Sequence, residues 1–459
     1  MRSWIYGSVF IAFLLLSGAI FGLLVKRVEW LQLLMLFFTF YGLYLMVISL
    51  ITGHRKFLKN DCYRPYVSAV IAARNEENVI EATVRSLCSM NYKKNNKPNF
   101  EVIVMDDCST DGTYEILTSL QKELLNLKVV RRSPEVCGNG KSAVLNEALN
   151  YCDGELVAVF DADTRVEPDF LKKSVAYLYD SKVGGIQGRV RIYNAKTNIL
   201  TSLQEDEFSI MNHYVQMTKD VMEGLTGLGG NGQITKKKAV EDVGGWNELS
   251  TTEDFDLTVR LAMKGWHVRY CPEAVLWQEG VEAWGALLRQ RVRWAEGLLK
   301  CLFDYFWQFL AAKMDFSRKI DGALSMVRIS VSLWIMVGYT FVFATLFHGV
   351  IFYSWIPPWF FFGTSVLLFS AMLLLMWKNT KINFVELVLR VFRYWFYNFV
   401  WVVAVPTAFI KCLKNTNSIH WDKTFHKGHA PYPVPNMVKA AVKGEFRESE
   451  SYSYVEGID

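Results

Sequence analysis

The chain has 459 residues, 51% of them apolar, and a formal net charge of +5 at pH 7. So small a charge on so long a chain does not indicate a nucleic-acid-binding protein, and the apolar content suffices for a large core. The eight cysteines include no C-x-x-C pair and no metal-ligand spacing, which argues against a zinc site and a disulfide framework. We therefore expect free thiols in a reducing compartment.

Long apolar runs lie near both ends of the chain. Residues 4–25 and 31–52 contain no charged residue, and each run is long enough to cross a hydrocarbon layer of roughly 30 Å as a helix. A signal peptide is the alternative for the first run, but it lacks a small-residue cleavage site and the second run follows at once. We predict a transmembrane hairpin over residues 1–53.

Predicted strands and helices alternate in the next region, residues 54–294. Apolar runs typical of strands lie at 67–72, 101–105, 127–131 and 156–160. Helical spacing is found at 78–89, 112–125 and 141–150. This alternation predicts an α/β domain with a Rossmann-like, doubly wound parallel sheet covered by helices on both faces.

Acidic side chains follow three of these strands. Glu76 comes after the first strand, Asp107 after the second, and Asp161 and Asp163 after the fourth. Because ligands bind at the carboxyl ends of such strands, we expect these acids to share one crevice. Asp161 and Asp163 are hard oxygen ligands that suit Mg²⁺ or Mn²⁺ bridged to a diphosphate. For the D-x-D pair alone, helix capping remains an alternative, and for Asp111 capping is the favoured interpretation.

Two familiar nucleotide-binding motifs are absent. The turn after the first strand has no glycine, which excludes the G-x-G-x-x-G turn of a dinucleotide-binding dehydrogenase. The sequence G-N-G-K-S at 138–142 resembles the end of a P-loop, but Glu135 occupies the earlier glycine position. Lys141, at the predicted helix start, stays a candidate for binding phosphate.

Three further patches have both a structural and a functional interpretation. The glycine-rich turn at 229–232 is either a plain loop or a close backbone approach to a sugar. The T-T-E-D sequence at 251–254 either caps the next helix or supplies catalytic acids. On a helix, Gln290, Arg293 and Trp294 lie at i, i+3 and i+4, so one face presents an amide, a guanidinium and an indole. These groups suit a diphosphate and a sugar ring.

The ordered set of Asp107, D-x-D at 161–163, T-E-D at 252–254 and Q-x-x-R-W at 290–294 resembles the pattern of membrane-bound family-2 glycosyltransferases. Cellulose, hyaluronan and poly-N-acetylglucosamine synthases belong to that family. The resemblance covers residues 67–297 and implies a nucleotide-sugar-binding domain of the GT-A type. It also implies inverting transfer from a nucleotide sugar, usually a UDP-sugar.

The resemblance implies a role for each matching residue. Asp107 would hold the nucleoside, Asp163 the metal and diphosphate, and Arg293 and Trp294 would close over the diphosphate and acceptor. Asp254 would be the general base.

The chemistry agrees with that assignment. A hydroxyl that attacks the anomeric carbon needs a carboxylate to take its proton, and we expect Asp254, with Glu253 beside it, to supply it. A divalent ion and a guanidinium can stabilise the departing diphosphate.

The acceptor stays open between two classes. We expect a growing β-linked polysaccharide that receives a hexose or N-acetylhexosamine. The alternative is a glycolipid synthase that adds one sugar to diacylglycerol or another membrane lipid, because residues 279–281 and 293–297 also resemble glucosyldiacylglycerol synthases. A non-enzymatic relative is disfavoured because every expected acid is present. The sequence does not indicate an exporting partner.

The remaining chain is predicted to return to the membrane. We expect interfacial amphipathic helices at 295–323, membrane segments within 324–412, with candidate spans at 329–347, 355–377 and 394–410, and a polar tail at 413–459. Basic residues beside the spans predict a multi-pass cell-membrane protein with a cytoplasmic catalytic domain. Lysines in the tail favour the same side, so the last segment either crosses, re-enters or turns back.

The tail contains a W-x-K-T-x-H sequence at 421–426 that is similar to a stretch in several membrane glycosyltransferases. We interpret it as an anchor at the membrane surface rather than as a catalytic element, because Trp and Lys suit the headgroup region.

Overall fold

The computed structural model describes residues 3–51, 58–379, 382–414 and 426–428. The strands are β1 (Val67–Ala73), β2 (Lys93–Lys94), β3 (Lys97–Pro98), β4 (Phe100–Asp106), β5 (Leu127–Arg131), β6 (Leu156–Phe160), β7 (Arg165–Val166), β8 (Val183–Ile192), β9 (Gln233–Lys236) and β10 (His267–Gln278). The helices before the sheet and within its domain are α1 (Ser3–Val25), α2 (Glu29–Ile51), α3 (Ile80–Cys88), α4 (Thr113–Glu123), α5 (Lys141–Ala148), α6 (Phe170–Val175), α7 (Ile199–Glu207), α8 (Gln216–Val221), α9 (Lys237–Asp242) and α10 (Glu253–Met263). A π-helical segment, Phe208–Val215, joins α7 to α8. The later helices are α11 (Trp284–Ala311), α12 (Phe316–Val327), α13 (Val331–His348), α14 (Pro358–Asn379), α15 (Phe384–Tyr397) and α16 (Phe399–Leu413).

Eight strands form one sheet in the order β5-β4-β1-β6-β9-β8-β10-β7. The four predicted strands form its parallel half, β5-β4-β1-β6, which confirms the α/β, Rossmann-like prediction. The other half is mixed: β9 runs antiparallel to both β6 and β8, and β7 antiparallel to β10, whereas β8 and β10 are parallel. The chain enters β9 from the glycine turn at 229–232, beside the carboxyl end of β6, and so runs back along its neighbour.

The parallel strands form because they are apolar runs that are buried on both faces of the sheet. Along β1, Ala69 and Ile71 point into one hydrophobic cluster, whereas Val70 and Ala72 point into the other. This alternation follows the two-residue period of a strand. Helices cover both clusters, so every strand end at the carboxyl edge is held by a core on each side.

The apolar ends form long helices. Four described segments are long and apolar enough to cross a membrane: Glu29–Ile51, Phe316–His348, Trp359–Lys378 and Phe384–Leu413. These segments overlap the predicted runs at 31–52, 329–347, 355–377 and 394–410, and the chain is a membrane protein. The predicted last span at 394–410 is part of a longer segment made of α15 and α16.

Helix α11 joins the sheet domain to the apolar helices. It begins at Trp284, eleven residues before the predicted interfacial helix at 295, and runs without a break to Ala311. The Q-x-x-R-W residues and the amphipathic stretch are therefore one element. Val292 and Leu299 of this helix pack against Ala404 and Ala408 of α16.

A disulfide joins Cys108, just after β4, to Cys137, in the loop before α5. The expectation of free thiols is wrong for this pair and correct for the other six cysteines. The two residues are 29 positions apart in the chain, but their Cα atoms lie 6.0 Å apart because both segments end at the carboxyl edge of the sheet. Spacing in the sequence does not reveal that proximity.

Candidate active site

One cavity of about 340 Å³ lies at the carboxyl edge of the sheet. Most predicted site residues line it: Glu76, Lys141, Asp161, Asp163, Glu253, Asp254, Gln290, Arg293 and Trp294. They come from five separate parts of the chain, which the fold brings together at this edge. Asp107 is the predicted site residue that does not line the cavity.

The D-x-D acids follow β6 directly but differ in exposure. The Asp161 side chain is 39% exposed, whereas Asp163 is buried. Asp163 accepts a hydrogen bond from the backbone N–H of Glu279, 2.7 Å away. Burial raises the pKa of Asp163 to about 6, although the nearby His426 charge lowers it. Both carboxylates line the cavity, so their contacts do not support the alternative in which the pair caps a helix.

Lys141 joins the D-x-D acids to the T-E-D acids. Its Nζ atom lies 2.7 Å from Asp161 Oδ1 and 3.1 Å from Glu253 Oε1, and it donates to the Gly230 carbonyl at 3.1 Å. Burial opposes the charged ammonium, but Asp161 and Glu253 outweigh it and raise the pKa of Lys141. Lys141 is therefore a cation within the cavity wall.

Asp254 is the carboxylate of the T-E-D group whose charge is least compensated. Its Oδ1 atom accepts the N–H of Phe255 at 2.7 Å, at the start of α10. Burial, together with the adjacent Glu253 charge, raises the pKa of Asp254 to about 7. A carboxylate with such a pKa can take a proton at neutral pH.

The glycine turn approaches Asp254 closely. Gly230 has a φ of +73°, and a Cβ atom there would lie 3.1 Å from Asp254 Oδ2. The next residue, Asn231, accepts from the Asp161 N–H at 3.2 Å and from Thr164 Oγ1 at 2.8 Å. The turn is therefore a support for both pairs of acids rather than a plain loop.

Asp107 is buried behind the cavity. Its carboxylate accepts from Arg132 Nη1 at 2.5 Å and from the Gly138 N–H at 3.1 Å, and Arg74 Nη1 lies 3.5 Å away. The disulfide between Cys108 and Cys137 joins the residue after Asp107 to the residue before Gly138. The adjacent Asp111 accepts the Thr113 N–H at 3.0 Å, one residue before the N-cap Gly112, so the expected capping interaction is present but shifted.

His426 is a cavity residue that the interpretation of the tail missed. Its Nδ1 atom lies 3.1 Å from Glu76 Oε2, and its Nε2 atom lies 3.6 Å from Asp163 Oδ2. The Lys427 N–H donates to Glu279 at 2.9 Å. Placement at the membrane surface is therefore wrong for residues 426–428, while residues 421–425 lie outside the described residues. The W-x-K-T-x-H similarity was the available signal.

Asn212 and Gln216 are among the other polar residues of the cavity that went unpredicted. Asn212 belongs to the π-helical segment and Gln216 is the first residue of α8, so they lie one turn apart. No motif in that stretch of sequence indicated a role. π-Helical turns are rare and are frequent at functional sites.

The acidic side chains of the cavity supply only some of the ligands that a divalent cation needs. Asp161 and Asp163 supply hard oxygen ligands, but within the described ranges no group of three or more His, Cys, Asp or Glu side chains could hold a metal ion. An ion there would take its remaining ligands from a donor diphosphate and water, which is usual for Mg²⁺. The donor set therefore fits an ion that arrives with its nucleotide.

Comparison with known proteins decides the family. The family described as "Glycosyltransferase like family 2" matches residues 65–297, which are half of the chain and contain every residue of the predicted site. The chain belongs to this glycosyltransferase family. It is therefore an enzyme of the sugar-transferring class.

Curated relatives of this glycosyltransferase include a glycolipid synthase and a polysaccharide synthase. A β-monoglucosyldiacylglycerol synthase of Nostoc sp. is 40% identical over 265 residues, which are 57% of this chain and 55% of the relative. A probable glycosyltransferase of Bacillus subtilis is 28% identical over 86% of this chain and 95% of its own. A poly-β-1,6-N-acetyl-D-glucosamine synthase of Staphylococcus epidermidis is 27% identical over 76% of this chain and 84% of its own. The chain spans about half the length of the glucosyldiacylglycerol synthases that it matches.

A solved structure supports the fold. The mannosyltransferase PcManGT from Pyrobaculum calidifontis, in complex with GDP-Man and Mn²⁺, superposes with a TM-score of 0.60. It is 18% identical and covers 85% of this chain and 99% of its own. The catalytic domain of this glycosyltransferase therefore has the Rossmann-like GT-A fold that was predicted, flanked on both sides by apolar helices.

Proposed function

We propose that this glycosyltransferase moves a single hexose from a UDP-sugar to the hydroxyl group of a membrane lipid such as diacylglycerol, with inversion at the anomeric carbon. The observation that carries the proposal is the one cavity that contains the D-x-D acids, the T-E-D acids and the Q-x-x-R-W side chains. The choice of lipid is supported by the 40% identity to a β-monoglucosyldiacylglycerol synthase across the catalytic domain.

Asp254 takes the proton of the acceptor hydroxyl. Its pKa, raised to about 7 by burial and by Glu253, makes it a stronger base than an exposed aspartate and leaves roughly half of it ionised at pH 7. Glu253 is held by Lys141, which leaves Asp254 as the acid available to the acceptor. As the hydroxyl oxygen bonds to the anomeric carbon, the bond to the diphosphate breaks on the opposite face.

The departing diphosphate gathers negative charge at the other side of the cavity. Arg293 and Gln290 offer a guanidinium and an amide to its oxygens, and the Trp294 indole offers an apolar face to the sugar or acceptor. Asp161 and Asp163 would hold Mg²⁺ or Mn²⁺, which when bound supplies further charge stabilisation. Asp107, to which the family resemblance assigns the nucleoside, would hold that group.

The second candidate is addition of N-acetylglucosamine or glucose to a growing polysaccharide. The match to poly-β-1,6-N-acetyl-D-glucosamine synthases favours it, because that match extends beyond the catalytic domain to 76% of the chain. In both cases the catalytic domain lies on the cytoplasmic side, where nucleotide sugars are made.

One experiment distinguishes these functions. The full chain, purified into lipid vesicles that contain diacylglycerol, is incubated with radiolabelled UDP-glucose or UDP-N-acetylglucosamine, and the products are separated by thin-layer chromatography. A labelled product that migrates with glycolipids and does not lengthen with time supports the lipid acceptor. A product that stays at the origin and grows supports the polymer. Absence of both products with every donor would overturn the proposal, and D254N serves as the inactive control.

A further inference from the structure

Arg291 is a charged residue with no exposed surface. It lies inside the Q-x-x-R-W sequence of α11 but is not one of the residues that line the cavity. A buried guanidinium is costly unless hydrogen bonds and an opposite charge compensate it. The partners that compensate Arg291 belong to two different parts of the protein.

Two of its partners line the cavity. The Nη1 atom of Arg291 donates to Gln290 Oε1 at 2.6 Å. Its guanidinium also lies over the Trp294 ring, 4.0 Å from the ring centroid. The planar guanidinium thus fixes the rotamers of an amide and an indole that face the substrates.

Its other partners, Glu207, Tyr397 and the Trp401 ring, lie away from the cavity. The Nη2 atom of Arg291 forms an ion pair with Glu207, at the end of α7, and donates to the Tyr397 hydroxyl at 3.1 Å. Tyr397 donates to Glu207 at 2.6 Å, and Trp401 Nε1 donates to the other Glu207 oxygen at 3.3 Å. Tyr397 and Trp401 belong to the apolar segment Phe384–Leu413. One guanidinium therefore links that segment to the cavity wall.

We infer that Arg291 is a positioning residue for the transfer reaction. It holds Gln290 and Trp294 in the orientation that binds the donor and acceptor, and it is itself held by Glu207 and by Tyr397 of the C-terminal apolar segment. The inference rests on the proposed function, because that proposal places Gln290 and Trp294 at the diphosphate and the acceptor. It adds that the position of the apolar segment Phe384–Leu413 determines the orientation of Gln290 and Trp294.

A neighbouring ion pair provides a matched control. Arg390 of α15 binds Asp206 of α7 at 2.7 Å. It therefore joins the same two helices as the hydrogen bond between Tyr397 of α15 and Glu207 of α7. The ion pair and hydrogen bonds of Arg390 go to Asp206, which does not line the cavity. Substitution of Arg390 therefore measures how weakening an ion pair between α7 and α15 affects stability, without a change in the cavity wall.

The test compares R291K with R390K in the full chain in lipid. Lysine at 291 keeps the charge beside Glu207 but cannot also bind Gln290 or stack on Trp294. We expect the affinity for UDP with Mn²⁺, measured by calorimetry, to fall in R291K on the order of ten-fold, and the KM for the donor to rise in parallel. R390K should keep both values within about two-fold of the wild type.

A double-mutant cycle separates positioning from a structural role. If Arg291 acts through Gln290, the loss of UDP affinity in Q290A/R291K will be smaller than the product of the two single losses. If the losses of UDP affinity in the two single variants instead multiply in the double variant, the inference is overturned. A UDP affinity in R291K equal to that of the wild type would also overturn it. Because UDP binding needs no acceptor, failure of the proposed acceptor does not affect this readout.

Y397F provides the test if R291K does not fold. It removes one hydroxyl from the guanidinium and keeps the shape of the ring. We expect a two- to three-fold weaker affinity for UDP, a smaller loss than in R291K because Gln290 and Glu207 still bind the guanidinium. This loss should disappear in a Gln290→Ala background. An unchanged affinity would contradict the inference.

Discussion

His426 Nδ1 lies 3.1 Å from Glu76 Oε2, although the two residues are 350 positions apart in the chain. The contact brings a cation into an acidic cavity. Burial lowers the pKa of His426, but the Asp163 and Glu76 charges outweigh it and raise the pKa to about 9, so the imidazole is protonated at neutral pH. A segment beyond the last membrane helix therefore contributes charge to the site.

Substitution of His426 by alanine should slow transfer by about 10²-fold, because it removes a positive charge from the region where the diphosphate departs. K427A is the control, since Lys427 pairs with Glu282 at the surface and is itself exposed. The measurement is kcat with saturating donor. Equal kcat values for the wild type and H426A would exclude His426 from the reaction.

Replacement of Asp254 by asparagine should abolish transfer while binding of the UDP-sugar persists. In the wild type, kcat should rise with pH through about 7, because the base must be ionised and burial raises its pKa to about that value. A profile of kcat against pH with saturating substrates checks the wild type. Normal turnover by D254N would remove Asp254 from the role of base.

The same variant should change stability in a direction set by linkage. A carboxyl whose pKa is raised by folding stabilises the folded state below its unfolded pKa and loses that contribution as pH rises to the folded pKa. D254N should therefore gain melting temperature relative to the wild type between about pH 4 and pH 7, and the gain should be constant above. A difference that falls with rising pH would contradict this assignment.

Two glycines with similar backbone angles provide a matched pair. Gly230 has a φ of +73° and Gly244 a φ of +79°, so alanine at either position costs about 1 kcal/mol of unfolding free energy. Only at Gly230 would the new Cβ meet Asp254 Oδ2, at 3.1 Å, whereas nothing lies within 4 Å at Gly244. G230A should lose transfer activity and G244A should keep it, at similar melting temperatures. Comparable activity of the two variants would show that Asp254 tolerates displacement.

The disulfide between Cys108 and Cys137 should stabilise the catalytic domain. With 29 positions between the two residues, the chain-entropy relation gives about 3–4 kcal/mol. C137S should therefore unfold at a lower temperature than the wild type, and a reducing agent should destabilise the wild type but not the variant. C62S is the control, because Cys62 is exposed and unbridged. Equal melting temperatures with and without reductant would mean that the bond contributes nothing.

The sequence predicted the parallel half of the fold well, for a physical reason. β1 and β6 are buried on both faces, so each is a continuous apolar run that stands out from its neighbours. β9 is only four residues long and follows a glycine turn, so local composition did not reveal it. The π-helical segment Phe208–Val215 was missed because its hydrogen bonding depends on how it packs.

The candidate site was predicted where side-chain type alone indicates chemistry. Asp163, Asp254 and Arg293 line one cavity, as expected from acids at strand ends and from helical spacing. Asp107 and Arg291 could not be placed correctly from the sequence. Which of two adjacent acids is enclosed by arginines, and which arginine of a helix faces inward, depends on contacts between distant segments.

The unbroken helix α11 connects the catalytic cavity directly to the apolar helices. Its 28 residues span about 42 Å, with Trp294 about 15 Å from the first residue and Phe309 buried near the last. A shift of α16 along its partner would carry the indole with it, since an α-helix transmits displacement along its axis rather than absorbing it. Bilayer thickness would then act on this enzyme as an effector of sugar transfer.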